Sequence, residues 1–147
     1  MNRLDPDHIV ACLKAQTKKE ALLELATLFP DIDQDVLVEA LMEREHLGST
    51  AIVTGMALPH AKINGVEDIL IAVGRSKTGI HWGARDGQPV HLIFLMLAPV
   101  KAATSYLQTL SILSRVLKNN ADCAELRHAG DKEEITRILE GCLQSAE

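Results

Sequence analysis

The sequence is poor in aromatic residues: one Trp, one Tyr and two Phe make up 3% of its 147 residues. The core must therefore be built from Leu, Ile, Val and Ala, and a base-stacking platform for single-stranded nucleic acid is excluded. Basic residues are also scarce, with 15 Lys and Arg against 20 Asp and Glu and a formal net charge of −5. No basic stripe tracks a duplex backbone, so nucleic acid is not an expected partner. The three cysteines, Cys12, Cys123 and Cys142, lie far apart and form no C-x-x-C pair. They signal neither a zinc site nor a redox pair, and each is expected as a small buried hydrophobe. No apolar run approaches about 18 residues, so no membrane insertion is expected. Lys14, Lys18, Lys19 and Glu20 break up the layout a signal peptide would need. A reducing, cytoplasmic setting fits this composition.

What the chain does have is a globular composition, 47% hydrophobic and 24% charged. Its length suits a single domain over residues 1–147, which buries roughly 68–70% of its unfolded surface. Residues 8–13 read as a short first strand. Thr17 and Glu20 form a capping box before Ala21, Leu22, Leu25, Ala26 and Phe29, which predicts an amphipathic helix stopping at Pro30. Asp31 or Asp33 can cap a second helix that ends near Arg44 or His46, before Gly48. Residues 51–58 look extended. The runs 68–73 and 90–97 are continuously apolar, as in strands of a sheet covered on both faces. A short strand or turn is expected around Gly79 to Trp82. A helix is expected from about Thr104 to Leu117, where Leu107, Leu110, Leu113 and Leu117 repeat at helical spacing. A short helix near 121–128 follows, then a last one capped by Asp131 with Glu134 at the capping-box position. The pattern predicts an α/β fold, a three-layer α/β/α sandwich with a mixed central sheet.

The segment Gly55-Met56-Ala57-Leu58-Pro59-His60 concentrates the chemical interest. Pro59 fixes its own φ and pushes Leu58 toward an extended conformation, so His60 leaves a rigid segment. A preorganised imidazole suits a nucleophile or a proton-handling group; the same residues also fit an ordinary loop histidine. A second segment, Glu43-Arg44-Glu45-His46-Leu47-Gly48-Ser49-Thr50, joins a helix end to this stretch. Arg44 is favourable near a helix C-terminus on dipole grounds alone. It also offers a planar fork of donors to a phosphate, with the Ser49 or Thr50 hydroxyls beside it. The other histidines (His8, His46, His81, His91 and His128) form no ligand-spaced cluster, so no metal is expected; His91 suits a hydrogen-bonded core position. Without a Walker loop, a G-x-G-x-x-G or a G-x-S-x-G elbow, no cofactor is expected either.

Taken together, the Arg44 and His60 segments resemble the signature of the enzyme IIA domains of the mannitol/fructose/nitrogen type. These belong to the bacterial phosphoenolpyruvate-dependent sugar phosphotransferase system. The block from Asp86 to Pro99 is similar to that family's central strand, and Tyr106 to Leu117 to its following helix. The resemblance covers about residues 7 to 143.

It implies a phosphotransferase component in which His60 accepts a phosphoryl group from a histidine-containing phosphocarrier protein. The group would then pass to an enzyme IIB domain during sugar uptake. In nitrogen-type members the phosphorylation state instead regulates a target protein, with no dedicated sugar. Arg44 inherits the family arginine's support of the phosphohistidine. Two positions depart from the pattern. Many members carry a second active-site histidine where this chain has Tyr106, which can donate a hydrogen bond but is a poor proton carrier near pH 7. Glycines of the loop after Ser-Thr are replaced by Ala51 and Val53, which disfavour positive φ.

Overall fold

The computed structural model describes residues 4–147. Its two long apolar runs form the centre of the sheet: β4 (Leu70–Ile80) and β5 (Val90–Ala98) pair antiparallel. β1 (Ile9–Val10) joins β4 in parallel, and β2 (Met56–Ala57) and β3 (His60–Lys62) join the other edge of β5 in parallel. The helices are α1 (Lys18–Ala26), α2 (Gln34–His46), α3 (Ala103–Lys118), α4 (Asn120–His128) and α5 (Lys132–Ala146).

Side-chain alternation along β5 sorts the core into two layers. Ile93, Leu95 and Leu97 pack with Leu22 and Leu25 of α1 and Leu37 and Leu41 of α2. Leu92, Phe94 and Met96 pack with Leu113 and Val116 of α3, Leu126 of α4 and Leu139 of α5. Each such side chain, fully buried, contributes about 1.5–3 kcal/mol. The fold is the expected three-layer α/β/α sandwich with a mixed sheet.

The predicted caps form. Thr17 and Glu20 exchange the reciprocal bonds of a capping box on α1. Asp33, rather than Asp31, caps α2. Asp131 caps α5, while Glu134 reaches back one residue further, to the Gly130 N–H at 2.7 Å.

Several boundaries differ from the sequence expectation. The first strand is two residues long, because a 3-10 turn occupies Pro6–His8 and the chain leaves the sheet after Val10. α1 stops at Ala26 rather than Pro30, giving way to tight turns in which Leu28 and Phe29 donate to Leu25 and Ala26 carbonyls. β4 runs well past residue 73 and absorbs Ile80, with an irregular register between Arg75 and Ile80. In the 51–58 stretch only Met56–Ala57 forms a strand. Leu107 is 65% exposed, and the buried seam of α3 is Thr109, Leu113, Val116 and Leu117. Cys12 is exposed; Cys123 and Cys142 are buried, which pushes their thiols up to about 11 and about 12.

The feature that positions His60 is the edge strand on β5. β2 and β3 keep one register across Leu58 and Pro59, Met56 opposite Leu92 and His60 opposite Met96. They are one strand interrupted at a proline. Pro59 has no N–H to give, but its carbonyl accepts from the Met96 N–H at 2.9 Å. A sheet edge tolerates proline for this reason.

Candidate functional site

His60 opens β3 on the edge strand, and its ring is half-buried. Its Nδ1 lies 2.7 Å from the Leu58 carbonyl oxygen. A carbonyl only accepts, so Nδ1 carries the proton and Nε2 carries the lone pair. The carbonyl that sets this tautomer belongs to the residue that Pro59 forces into an extended conformation. Local sequence thus orients the ring.

Nε2 faces Arg44, whose Nε donates to it at 3.3 Å. Arg44 lies in the last turn of α2, and its Nη1 donates to the Gly48 carbonyl at 3.0 Å. Burial lowers the pKa of His60; the Leu58 carbonyl opposes this, and the nearby Arg44 charge adds to it. The imidazole is therefore neutral at pH 7, with a nucleophilic nitrogen beside a guanidinium.

Ser49 and Thr50 behave differently from each other. The Ser49 Oγ accepts the Ala51 N–H at 3.1 Å, shaping the loop beside Arg44. Thr50 is 3% exposed. Its hydroxyl donates to Glu45 Oε1 and its N–H donates to Glu45 Oε2 at 3.2 Å. The expectation that Thr50 offers a hydroxyl to a phosphate is corrected here, because that hydroxyl is engaged in the interior. No residue other than glycine takes positive φ among the described residues, so Ala51 and Val53 are unstrained and Gly55 (φ +81°) carries the turn.

Tyr106, on α3, stands at the site. Its ring centroid is 6.0 Å from that of His60, and Lys62 Nζ sits 4.9 Å above its ring centroid. Partial burial raises the Tyr106 pKa, keeping the phenol neutral.

Three contributors were not singled out from the sequence. The Leu58 carbonyl selects the tautomer. Lys62 shares the His60 side of its strand, a consequence of the two-residue period. Glu45 lies within the motif, but its role depends on burial: it is 6% exposed, holds Thr50, and pairs with Lys18 Nζ at 3.4 Å. The spacing of Glu45 to Thr50, across a helix end, was the only available hint. His91 is half-buried with Nδ1 2.9 Å from the Ser76 carbonyl, as expected of a bonded core histidine. Among the described residues no cluster of His, Cys, Asp or Glu could hold a metal ion, and no helix is long and apolar enough to cross a membrane.

The site is thus a half-buried neutral histidine facing an arginine on the edge of a mixed α/β sheet. The chain belongs to the family described as phosphoenolpyruvate-dependent sugar phosphotransferase system, EIIA 2, whose model matches residues 2–142. It is 36% identical over 137 residues to a nitrogen regulatory protein of Bradyrhizobium diazoefficiens, covering 91% of this chain and 90% of that one. It superposes on the crystal structure of nitrogen regulatory protein IIA-Ntr from Neisseria meningitidis with a TM-score of 0.86 and 31% identity, covering 92% of this chain and 94% of that one. The mannitol-specific IIA of Escherichia coli, solved in complex with phosphorylated IIB, shares the fold: TM-score 0.76, 21% identity, 95% and 98% of the two chains covered.

Proposed function

We propose that this protein is a phosphoryl carrier that accepts phosphate on His60 Nε2 from a histidine-containing phosphocarrier protein. The observation that carries this reading is the opposed pair of contacts on one ring: Nδ1 on the Leu58 carbonyl and Nε2 at Arg44. The Nε2 lone pair forms the new N–P bond as the donor's N–P bond breaks, and the donor imidazole keeps that electron pair. The proton stays on Nδ1, donated to the Leu58 carbonyl, throughout. Arg44, released from Nε2 once its lone pair is engaged, turns its donors to the phosphoryl oxygens. Phosphoryl transfer depends mainly on positioning and charge stabilisation, and these two contacts supply one each.

The phosphoryl group then passes to an enzyme IIB domain during sugar uptake, as the complex with the mannitol relative suggests. The domain spans residues 1–147 and works in the cytoplasm, where phosphoenolpyruvate is available. Leu47 is 85% exposed and Ile52 65%, both on the loop after α2; Leu107, next to Tyr106, is 65% exposed. Apolar side chains near a polar centre suit a protein docking surface.

A second reading is that phosphorylation of His60 switches affinity for a regulated target protein. It is favoured by Tyr106 in place of a second histidine and by the nitrogen regulatory relatives. A phosphoryl group adds roughly −1.5 to −2 charges, enough to change a partner surface. The test for the carrier reading is incubation with phosphoenolpyruvate, enzyme I and the phosphocarrier, then mapping of acid-labile phosphate. Phosphate on His60 Nε2 is expected; phosphate at Nδ1 or on another residue overturns the reading.

Two further outcomes are expected. Tyr106→His introduces a proton carrier 6.0 Å from the His60 ring, so phosphoryl transfer becomes faster or more reversible. An unchanged rate in rapid-quench experiments would mean that position 106 does not act on the reaction. His60 itself titrates below the ordinary histidine value of about 6.5, as ring-carbon NMR shifts would show. Because the native pKa is depressed, the unfolded chain binds the proton more readily. The associated stability is complete above about pH 6.5 and is lost as pH falls through the native value. Arg44→Ala removes one of the two lowering causes and raises the midpoint.

A further inference from the structure

At the opposite end of β5 from His60, a cavity of about 410 Å³ opens beside the loop that joins α4 to α5. Its charged and titratable lining consists of Arg75, Lys77, His91, Arg127 and His128, and none of its lining residues is acidic. The protein as a whole carries a formal charge of −5, so a wholly basic lining runs against its average.

Arg75 is 4% exposed. Buried guanidinium groups are almost always paired with a carboxylate. Arg75 is not: Nε donates to the Ala11 carbonyl at 3.0 Å, and Nη1 donates to the carbonyls of Leu126 at 3.1 Å, Arg127 at 3.4 Å and Ala129. Carbonyl dipoles at the end of α4 steady the group but leave its full positive charge uncancelled. Among the described residues, Lys77, Arg127 and His128 form no ion pair. The acidic residues that flank the lining in sequence, Glu125, Asp131 and Glu134, lie outside it: Asp131 accepts the Glu134 N–H at 2.8 Å, and Glu134 accepts the Gly130 N–H at 2.7 Å and lies 4.0 Å from Arg137. The missing counter-charge is what an anion would supply.

We infer that this cavity is a second anion site, built for a small polyanion of the polyphosphate class. Arg75 forms its floor, with Lys77 and Arg127 closing over the ligand from β4 and the end of α4. Two or more linked phosphates match this charge better than a single one, and the volume accommodates them. The site is separate from the reaction centre. His91 precedes Met96, the register partner of His60, by five residues, or roughly 16 Å along the strand.

The test uses the full chain and inorganic pyrophosphate, with isothermal calorimetry and amide NMR shifts. Saturable binding is expected, with shifts at Ser76–Gly79 and Arg127–Gly130 and weakening by added salt. Lys77→Ala/Arg127→Ala, two exposed side chains whose loss leaves the core intact, lowers affinity by about tenfold or more. Binding persists in His60→Ala/Arg44→Ala, which separates it from the reaction centre, and His60 phosphorylation is unchanged in the Lys77/Arg127 double variant. A nucleoside diphosphate binding more tightly than pyrophosphate would support a nucleotide as the source of the phosphates, and equal affinity would support free polyphosphate. Absence of saturable binding, shifts confined to the His60 region, or affinity indifferent to the double variant overturns the inference. Binding of a polyglutamate peptide in preference to pyrophosphate does so as well.

Discussion

His60→Ala is expected to remove transferable phosphate from the protein completely, and Arg44→Ala to slow its acquisition by about 10²–10³-fold. The first effect is absolute because the transferable bond forms on the His60 imidazole, and Tyr106, whose ring packs beside it, is held neutral by burial. The second rests on the loss of a preorganised donor in a partly desolvated site, which in other reactions costs that order of rate. Arg44→Lys separates charge from geometry. Lysine restores the cation but not the planar fork, so it recovers only part of the rate. Rapid-quench measurement of labelled phosphate on each variant checks all three. Residual labelling of His60→Ala, or a full rate for Arg44→Ala, would contradict the arrangement described.

Glu45→Ala is expected to destabilise the fold by about 2–4 kcal/mol. The carboxylate accepts from both the N–H and the hydroxyl of buried Thr50 and pairs with Lys18, itself packed 5.6 Å from the Trp82 ring centroid. Removing it leaves two buried donors unpaired, at roughly 1–3 kcal/mol each, offset by water entering the gap. The kinetic consequence is separate from the stability loss. Glu45 fixes the start of the loop whose Gly48 carbonyl holds Arg44, so the guanidinium loses its fixed position. Phosphoryl transfer should fall at temperatures where the variant remains folded. Glu45→Gln, which keeps an acceptor for Thr50 but not the charge for Lys18, should fall between the two. Urea unfolding and rapid-quench transfer, measured on the same preparations, distinguish stability from rate.

Much of this architecture is legible in the residues. The alternation that sends Ile93, Leu95 and Leu97 one way and Leu92, Phe94 and Met96 the other is written in an uninterrupted apolar run, which only a doubly covered strand can bury. The helix starts are equally local, because Thr17, Asp33 and Asp131 satisfy N–H groups two or three residues away. The strand edges were harder. β4 continues past Val73 through Gly74, a residue of low strand propensity, and Arg75 because both pair with β5, opposite Ile93 and Leu92. Leu107 repeats at helical spacing with Leu110 and Leu113 but faces outward, since periodicity alone does not say where the buried arc ends.

At the site, sequence determined that His60 follows a rigid Leu58-Pro59 step and that Arg44 ends a helix, because proline geometry and helix periodicity act over a few residues. Tertiary structure decided the rest. The docking of α2 beside β3 brings Arg44 Nε to Nε2, and the inward turn of Thr50 onto Glu45 removes a residue that its spacing had offered to phosphate. The packing of α3 sets Tyr106 against the His60 ring. The burial of Arg75 beneath α4 leaves a cation without its counter-charge. The contacts of Arg44 and Tyr106 with His60 and of Arg75 with α4 join segments separate in the chain, set by which apolar faces must be covered, while the five-residue Glu45–Thr50 contact depends on burial that no local pattern encodes.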